Sequence, residues 1–181
     1  GIDNIEITGF VFDGNESART IRTWTHSPLI NFNACDNLNL HGNVFKNAGC
    51  DAVWVDASGQ VKITQNHFEN IFGNGAHVGG SQTLTVDYIC ANNSFKNVFL
   101  ANSTTTPTAT QYSHASGPIA SSDGPKRAVI TGNTIDGSEA VGISGQGASY
   151  NTEYVITGNT IKNCKSGAWR MVSQSSHGIM T

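Results

Sequence analysis

One ten-residue phrase recurs along this chain. Val61-Lys62-Ile63-Thr64-Gln65-Asn66-His67-Phe68-Glu69-Asn70 returns as Leu38 to Asn47, as Tyr88 to Asn97, as Ala128 to Gly137 and as Tyr154 to Asn163. Ile5 to Gly14 is a weaker copy, with Phe10 where the others carry Asn. The shared pattern is apolar-x-apolar-x-x-Asn-x-apolar-x-Asn. Its first Asn falls at 43, 66, 93, 133 and 159, in steps of 23, 27, 40 and 26 residues. A period in the twenties or longer marks a stack of repeats rather than an ordinary domain. Each copy alternates as a strand does, with Leu, Val, Ile and Phe inward. Gly and Asn punctuate the ends, where the backbone turns sharply or enters left-handed φ/ψ. No stretch shows apolar spacing at i, i+3, i+4 and i+7 over three helical turns. Each repeat is therefore expected to form one coil of a parallel β-solenoid, with neighbouring coils about 4.8 Å apart.

An inward Asn recurring at one place in every coil can hydrogen-bond to turn backbone and to its neighbours above and below. It thereby satisfies groups that a buried turn would orphan. The Phe or Ile two residues later should form an apolar column. The alternative is that these Asn are polar turn residues at positive φ; five in one register favour the ladder.

The Ile-x-x-Asn-x-Phe-x-Asn signature at Ile63 to Asn70, and its counterpart at Leu40 to Asn47, resembles the right-handed parallel β-helix, or pectate-lyase-like, superfamily. The resemblance covers nearly the whole chain. It implies an all-β, right-handed, single-stranded parallel β-helix of about six to seven coils, with Asn and aromatic or aliphatic ladders. For activity it implies only a range: polysaccharide lyases, glycoside hydrolases, sugar epimerases, phage tailspikes and bacterial adhesins share the fold.

At 181 residues one domain, 1–181, is expected. Seven coils would make a rod about 30 Å long. Only 13% of residues are charged and the net charge is −3, which argues against a duplex nucleic-acid partner. No run of about 20 apolar residues offers a membrane span, and no signal peptide is evident. The chain starts and stops inside strand-like phrases without polar caps, so a segment of a longer protein is expected, with ends covered by partner chains as the alternative. Cys35, Cys50, Cys90 and Cys164 lack zinc-site spacing; buried free thiols are favoured over disulfides, with Cys90 and Cys164 at apolar core positions, and the redox compartment stays undecided. No cofactor is expected. Ca²⁺-dependent members of the superfamily use clustered carboxylates, and no such cluster is evident.

Extending the alignment to the strand beyond the phrase yields an outward row. If Val53 and Val55 point in, Trp54 points out. The expected row is Asn31, Trp54, His77 and Ser121, with Arg170 further along. A second row, two residues later, is Asn33, Asp56, Gly79 and Asp123. Asp51 lies at the start of the Trp54 strand. A Trp beside His, Asp and Asn suits a sugar, with the ring on the pyranose face and polar groups on the hydroxyls. Two enlarged turns, 15–27 and 101–117, precede the same strand of their coils and should wall this face. They carry Arg19, Arg22, Trp24, His26, Tyr112 and His114.

Three functions follow as expectations. The first is hydrolysis of a glycan by two carboxyl groups. Asp56 and Asp123 at equivalent sites two coils apart would stand about 9.6 Å apart, near the separation of an inverting pair; Asp51 with Asp56 is a second pairing. The second is uronate elimination, with His77 as base and Arg19, Arg22 or Arg170 neutralising the carboxylate. The third is glycan binding without chemistry, as in a tailspike or adhesin, with Trp54, Asn31, Asn33, His26 and His114 as contacts. A rod whose Trp24 and Trp169 meet neighbours in a homotrimer is a structural alternative, although Trp169 aligns with inward Val53. His41, His67, Glu69 and Lys62 read as turn or surface residues. The setting is extracellular, secreted or on a virion surface, and the partner is a polysaccharide.

Overall fold

The structure, a computed structural model, describes residues 2–15, 28–56, 59–79, 87–100, 117–122, 125–147, 153–173 and 177–181. Their strands form three sheets in which every pairing is parallel. Sheet A has seven strands: Ile2–Thr8, Cys35–His41, Gln60–Thr64, Asp87–Ala91, Arg127–Thr131, Glu153–Thr157 and His177–Met180. Sheet B has six: Val11–Asp13, Val44–Ala48, His67–Ile71, Ser94–Val98, Thr134–Ser138 and Thr160–Cys164. Sheet C has six: Ile30–Asn33, Val53–Asp56, Ala76–Val78, Ile119–Ser122, Ile143–Gly147 and Trp169–Ser173. The chain visits A, B and C in turn and then repeats, each strand pairing with its counterpart one coil away. This is a right-handed parallel β-helix of about six coils.

The phrase spans the corner between sheets A and B. Its first Asn forms a continuous ladder inside that corner. The backbone N–H and Nδ2 of Asn43 both donate to Asn66 Oδ1, at 2.9 and 3.1 Å. Asn66 bonds in the same way to Asn93, Asn93 to Asn133, and Asn133 to Asn159. Each Nδ2 also donates to the carbonyl of a neighbouring coil, as Asn66 does to Leu40 at 2.9 Å. Phe10 carries no side-chain amide, and there the ladder closes with the backbone N–H of Phe10 donating to Asn43 Oδ1 at 3.0 Å. The two Asn of the phrase divide the labour. Positive φ belongs to the residue before the first Asn (Gly42, Gln65, Asn92, Gly132, Gly158) and to the last position (Asn47, Asn70, Asn97, Gly137, Asn163), not to the ladder.

Behind the ladder, Phe12, Phe45, Phe68 and Phe95 stack with centroids 5.0, 4.9 and 4.6 Å apart and interplanar angles of 12° or less. Ile135 and Ile161 continue the column in register. All four cysteines are free. Cys90 replaces Ile63 in the interior, and burial pushes its thiol up to about 12. Cys164 is only partly buried.

The outer face of sheet B carries a row of alternating charge: Asp13, Lys46, Glu69, Lys96, Asp136 and Lys162 occupy one register position on successive coils. Lys46–Asp13, Lys96–Glu69 and Lys162–Asp136 form ion pairs at 3.0–3.2 Å. The hydrogen bond from Asn163, then Lys162, holds the Asp136 carboxyl below its ordinary value. Exposed pairs of this kind stabilise little. A one-residue slip would break the sign match, so they favour the native register.

Candidate functional site

Sheet C presents the expected Trp54 face. Asn31 pairs with Trp54, and Trp54 with His77, on three consecutive coils. Val53 and Val55 are wholly buried while Trp54 and Asp56 are partly exposed, so the alternation runs as expected. Asn33 lies beside Asp56 in the second row.

Beyond His77 the register departs from expectation by one residue. Ala120, not Ser121, pairs with His77, and Ser121 pairs with inward Val78. Ser121 is buried and shares a 2.9 Å hydrogen bond with Tyr154 Oη. The cause is turn length. Ile119 aligns with Ile30 and Ala128 with Leu38, so this coil spends one residue more between the two columns. Ser122 consequently takes the place beside Gly79 that was expected for Asp123 (a Cβ on Gly79 would lie 3.2 Å from Ser122 Oγ). Asp123 lies outside the described residues, as do Arg19, Arg22, Trp24, His26, Tyr112 and His114. Arg170 does share the His77 row, through Ala120 and Ser144, but it is exposed and three coils away, about 14 Å along the axis. Trp169 shares the inward column of Val53 and is 50% exposed in the last coil of sheet C.

The polar centre of this face is Asp51, Asn74, His77 and Ser122. Asp51 and Asn74 occupy the corner between sheets B and C on adjacent coils. Asn74 N–H donates to Asp51 Oδ1 at 2.7 Å, and Asn74 Nδ2 reaches both Asp51 oxygens at 3.2–3.3 Å. Gly117 N–H in turn donates to Asn74 Oδ1 at 3.0 Å, making a second short amide ladder. His77 Nδ1 lies 3.2 Å from Asp51 Oδ2, and His77 Nε2 lies 2.9 Å from Ser122 Oγ. A carboxylate only accepts, so Nδ1 carries a proton toward Asp51, and in the neutral imidazole Nε2 then accepts from the Ser122 hydroxyl. Trp54 closes one side of the imidazole, ring centroids 4.2 Å apart at 62°. Asp51 and His77 are each 4% exposed, whereas Ser122 reaches the surface. Among the described residues no three His, Cys, Asp or Glu gather as metal ligands.

Asn74 and Ser122 were not singled out from sequence. Asn74 had a readable signal: it follows Asp51 by 23 residues, the same step as Asn43 to Asn66. Ser122 had none, because the longer turn shifts it.

Gly73 makes room for the carboxylate. A Cβ there would stand 2.2 Å from Asp51 Oδ1 and 2.9 Å from Asp51 N. Gly73→Ala is expected to cost about 1–3 kcal/mol of stability through overpacking and to displace Asp51 from His77. Chemical denaturation together with the His77 ring resonances checks both; an unchanged midpoint and unchanged resonances would show that the corner is not packed as described.

Comparison with protein-family models, with curated proteins and with solved structures returns no match for this chain. Among the described residues no helix is long and apolar enough to cross a membrane.

Proposed function

We propose that the protein handles a polysaccharide on the outer face of sheet C, as a parallel β-helix of the pectate-lyase-like kind. The observation that carries this reading is the in-register pair Asn31 and Trp54, both open to solvent and flanked by Asn33 and Asp56, with buried His77 packed edge-on against the indole. A partly exposed indole edged by amide and carboxylate groups at the coil spacing suits successive sugars: the apolar ring face packs on Trp54, and the hydroxyls meet the polar row. An extended polymer fits a surface that repeats every 4.8 Å or so. The reading places the protein outside the cell or on a virion surface, where such polymers are met.

Among the chemistries expected from sequence, binding is favoured. The two-carboxylate scheme pairs Asp56 with Asp123, which lies outside the described residues, or with Asp51, whose buried carboxylate is engaged by Asn74 and His77. The lyase scheme needs a free imidazole, and both nitrogens of His77 are engaged.

Trp54→Ala is expected to weaken binding of a polysaccharide, identified from a glycan panel, by about tenfold, the equivalent of roughly 1.4 kcal/mol. Titration calorimetry reads the affinity and thermal melting confirms the fold. Equal affinity in a folded variant would remove the sugar-binding face.

A further inference from the structure

We infer that Ser122, His77 and Asp51 constitute a hydrolytic centre for carboxylic esters, with Ser122 Oγ as nucleophile. The three groups come from three successive coils, Asp51 from the corner that leads into its strand of sheet C. Ser122 Oγ is 2.9 Å from His77 Nε2, and His77 Nδ1 is 3.2 Å from Asp51 Oδ2. This is the nucleophile–base–orienter arrangement that activates a hydroxyl, recognised by geometry and not by order along the chain. The centre does not depend on a sugar being bound at Trp54.

Two further features fit a catalytic use of the cluster. The first is the gradient of exposure. Asp51 and His77 are buried, with Asp51 held by the N–H and Nδ2 of Asn74, and only Ser122 reaches the surface. The orienting carboxylate is thus kept from water while the nucleophile is presented to it. The second is the glycine beside Ser122. A Cβ on Gly79 would stand 3.2 Å from Ser122 Oγ, 3.7 Å from Trp54 Cζ2 and 3.9 Å from His77 Nε2. With no side chain there, the Oγ is not crowded from that side, and an attacked carbonyl carbon must come to about 3–3.5 Å of it.

The chemistry balances with water as the only co-reactant. Ser122 Oγ attacks the ester carbonyl carbon as its proton passes to His77 Nε2. The tetrahedral adduct collapses, the carbon–alkoxy bond breaks, and His77 returns the proton to the leaving oxygen to release the alcohol. A water then gives a proton to Nε2 and attacks the acyl-serine. The acid departs, and the proton restores the Ser122 hydroxyl. Asp51 touches no reacting atom; it is a positioning residue that holds Nδ1–H and the imidazolium formed in each half-reaction.

The test uses the intact chain with a fluorophosphonate, which labels activated serines covalently, and with p-nitrophenyl acetate; neither probe contains a sugar. One adduct is expected, on the peptide bearing Ser122, together with turnover of the acetate ester. Ser122→Ala and His77→Gln should each lower that turnover by about a hundredfold or more. Asp51→Asn should lower kcat with KM nearly unchanged, which a role confined to packing would not produce. Ser122→Ala removes one hydroxyl at a partly exposed position, so the test survives if the His77 and Asp51 variants fail to fold. Absence of an adduct, an adduct on another residue, or full turnover by Ser122→Ala would overturn the inference. A failed sugar-binding test at Trp54 would leave it standing.

Discussion

Phe68→Ala is expected to lower the unfolding free energy by about 3–5 kcal/mol. Phe68 is wholly buried, with the Phe45 ring 4.9 Å away on one side and the Phe95 ring 4.6 Å away on the other, stacked with nearly parallel planes. In a stack of coils, stability is close to a sum of units and nearest-neighbour interfaces. Truncating a central ring therefore removes its own burial and empties two interfaces at once. The coils above and below cannot close the gap independently, because each is tied to its neighbours by parallel ladders along three sheets. Phe68→Leu keeps most of the volume and should cost less than about 1.5 kcal/mol. Urea unfolding followed by circular dichroism reads both. A Phe68→Ala loss below about 1 kcal/mol would mean that the column is not close-packed.

Asn66→Ala is expected to cost about 3 kcal/mol, because removing one amide leaves several buried partners unsatisfied. Asn43 loses the acceptor of both its backbone N–H and its Nδ2, and Leu40 and Thr64 lose a donor to their carbonyls. Asn66→Asp keeps an acceptor but loses the donor and buries a carboxylate, so it should be no better than Ala. Asn70→Gly supplies the comparison. Asn70 has φ of 55°, and glycine adopts that conformation freely. Its replacement should be close to neutral. Equal sensitivity at 66 and 70, or a tolerated Asn66→Asp, would show that Asn66 serves the turn and not the ladder.

The contrast between these two Asn marks how far the chain could be read in advance. The coil, the inward Phe column and the Asn ladder were legible because the phrase keeps one length across the corner between sheets A and B. Residue spacing there translates directly into spatial register. The charge row from Asp13 to Lys162 is equally legible, at the position before the last residue of each phrase, where Glu69 reads as a surface charge. Asp51, Trp54 and His77 were found by carrying the count one strand further. The same count failed at Ser121, where one additional turn residue reversed which side chain faces out.

By itself, then, the order of residues determined a stacked coil with a polar ladder and an apolar column, since both are written at constant intervals and burial enforces the interval. Only the tertiary structure decided that Asp51, His77 and Ser122 meet. They lie 26 and 45 residues apart and are joined across turns whose lengths vary from coil to coil. Turns at the surface bear little burial constraint, so no fixed period records them, and in a strand a single added residue exchanges inside for outside.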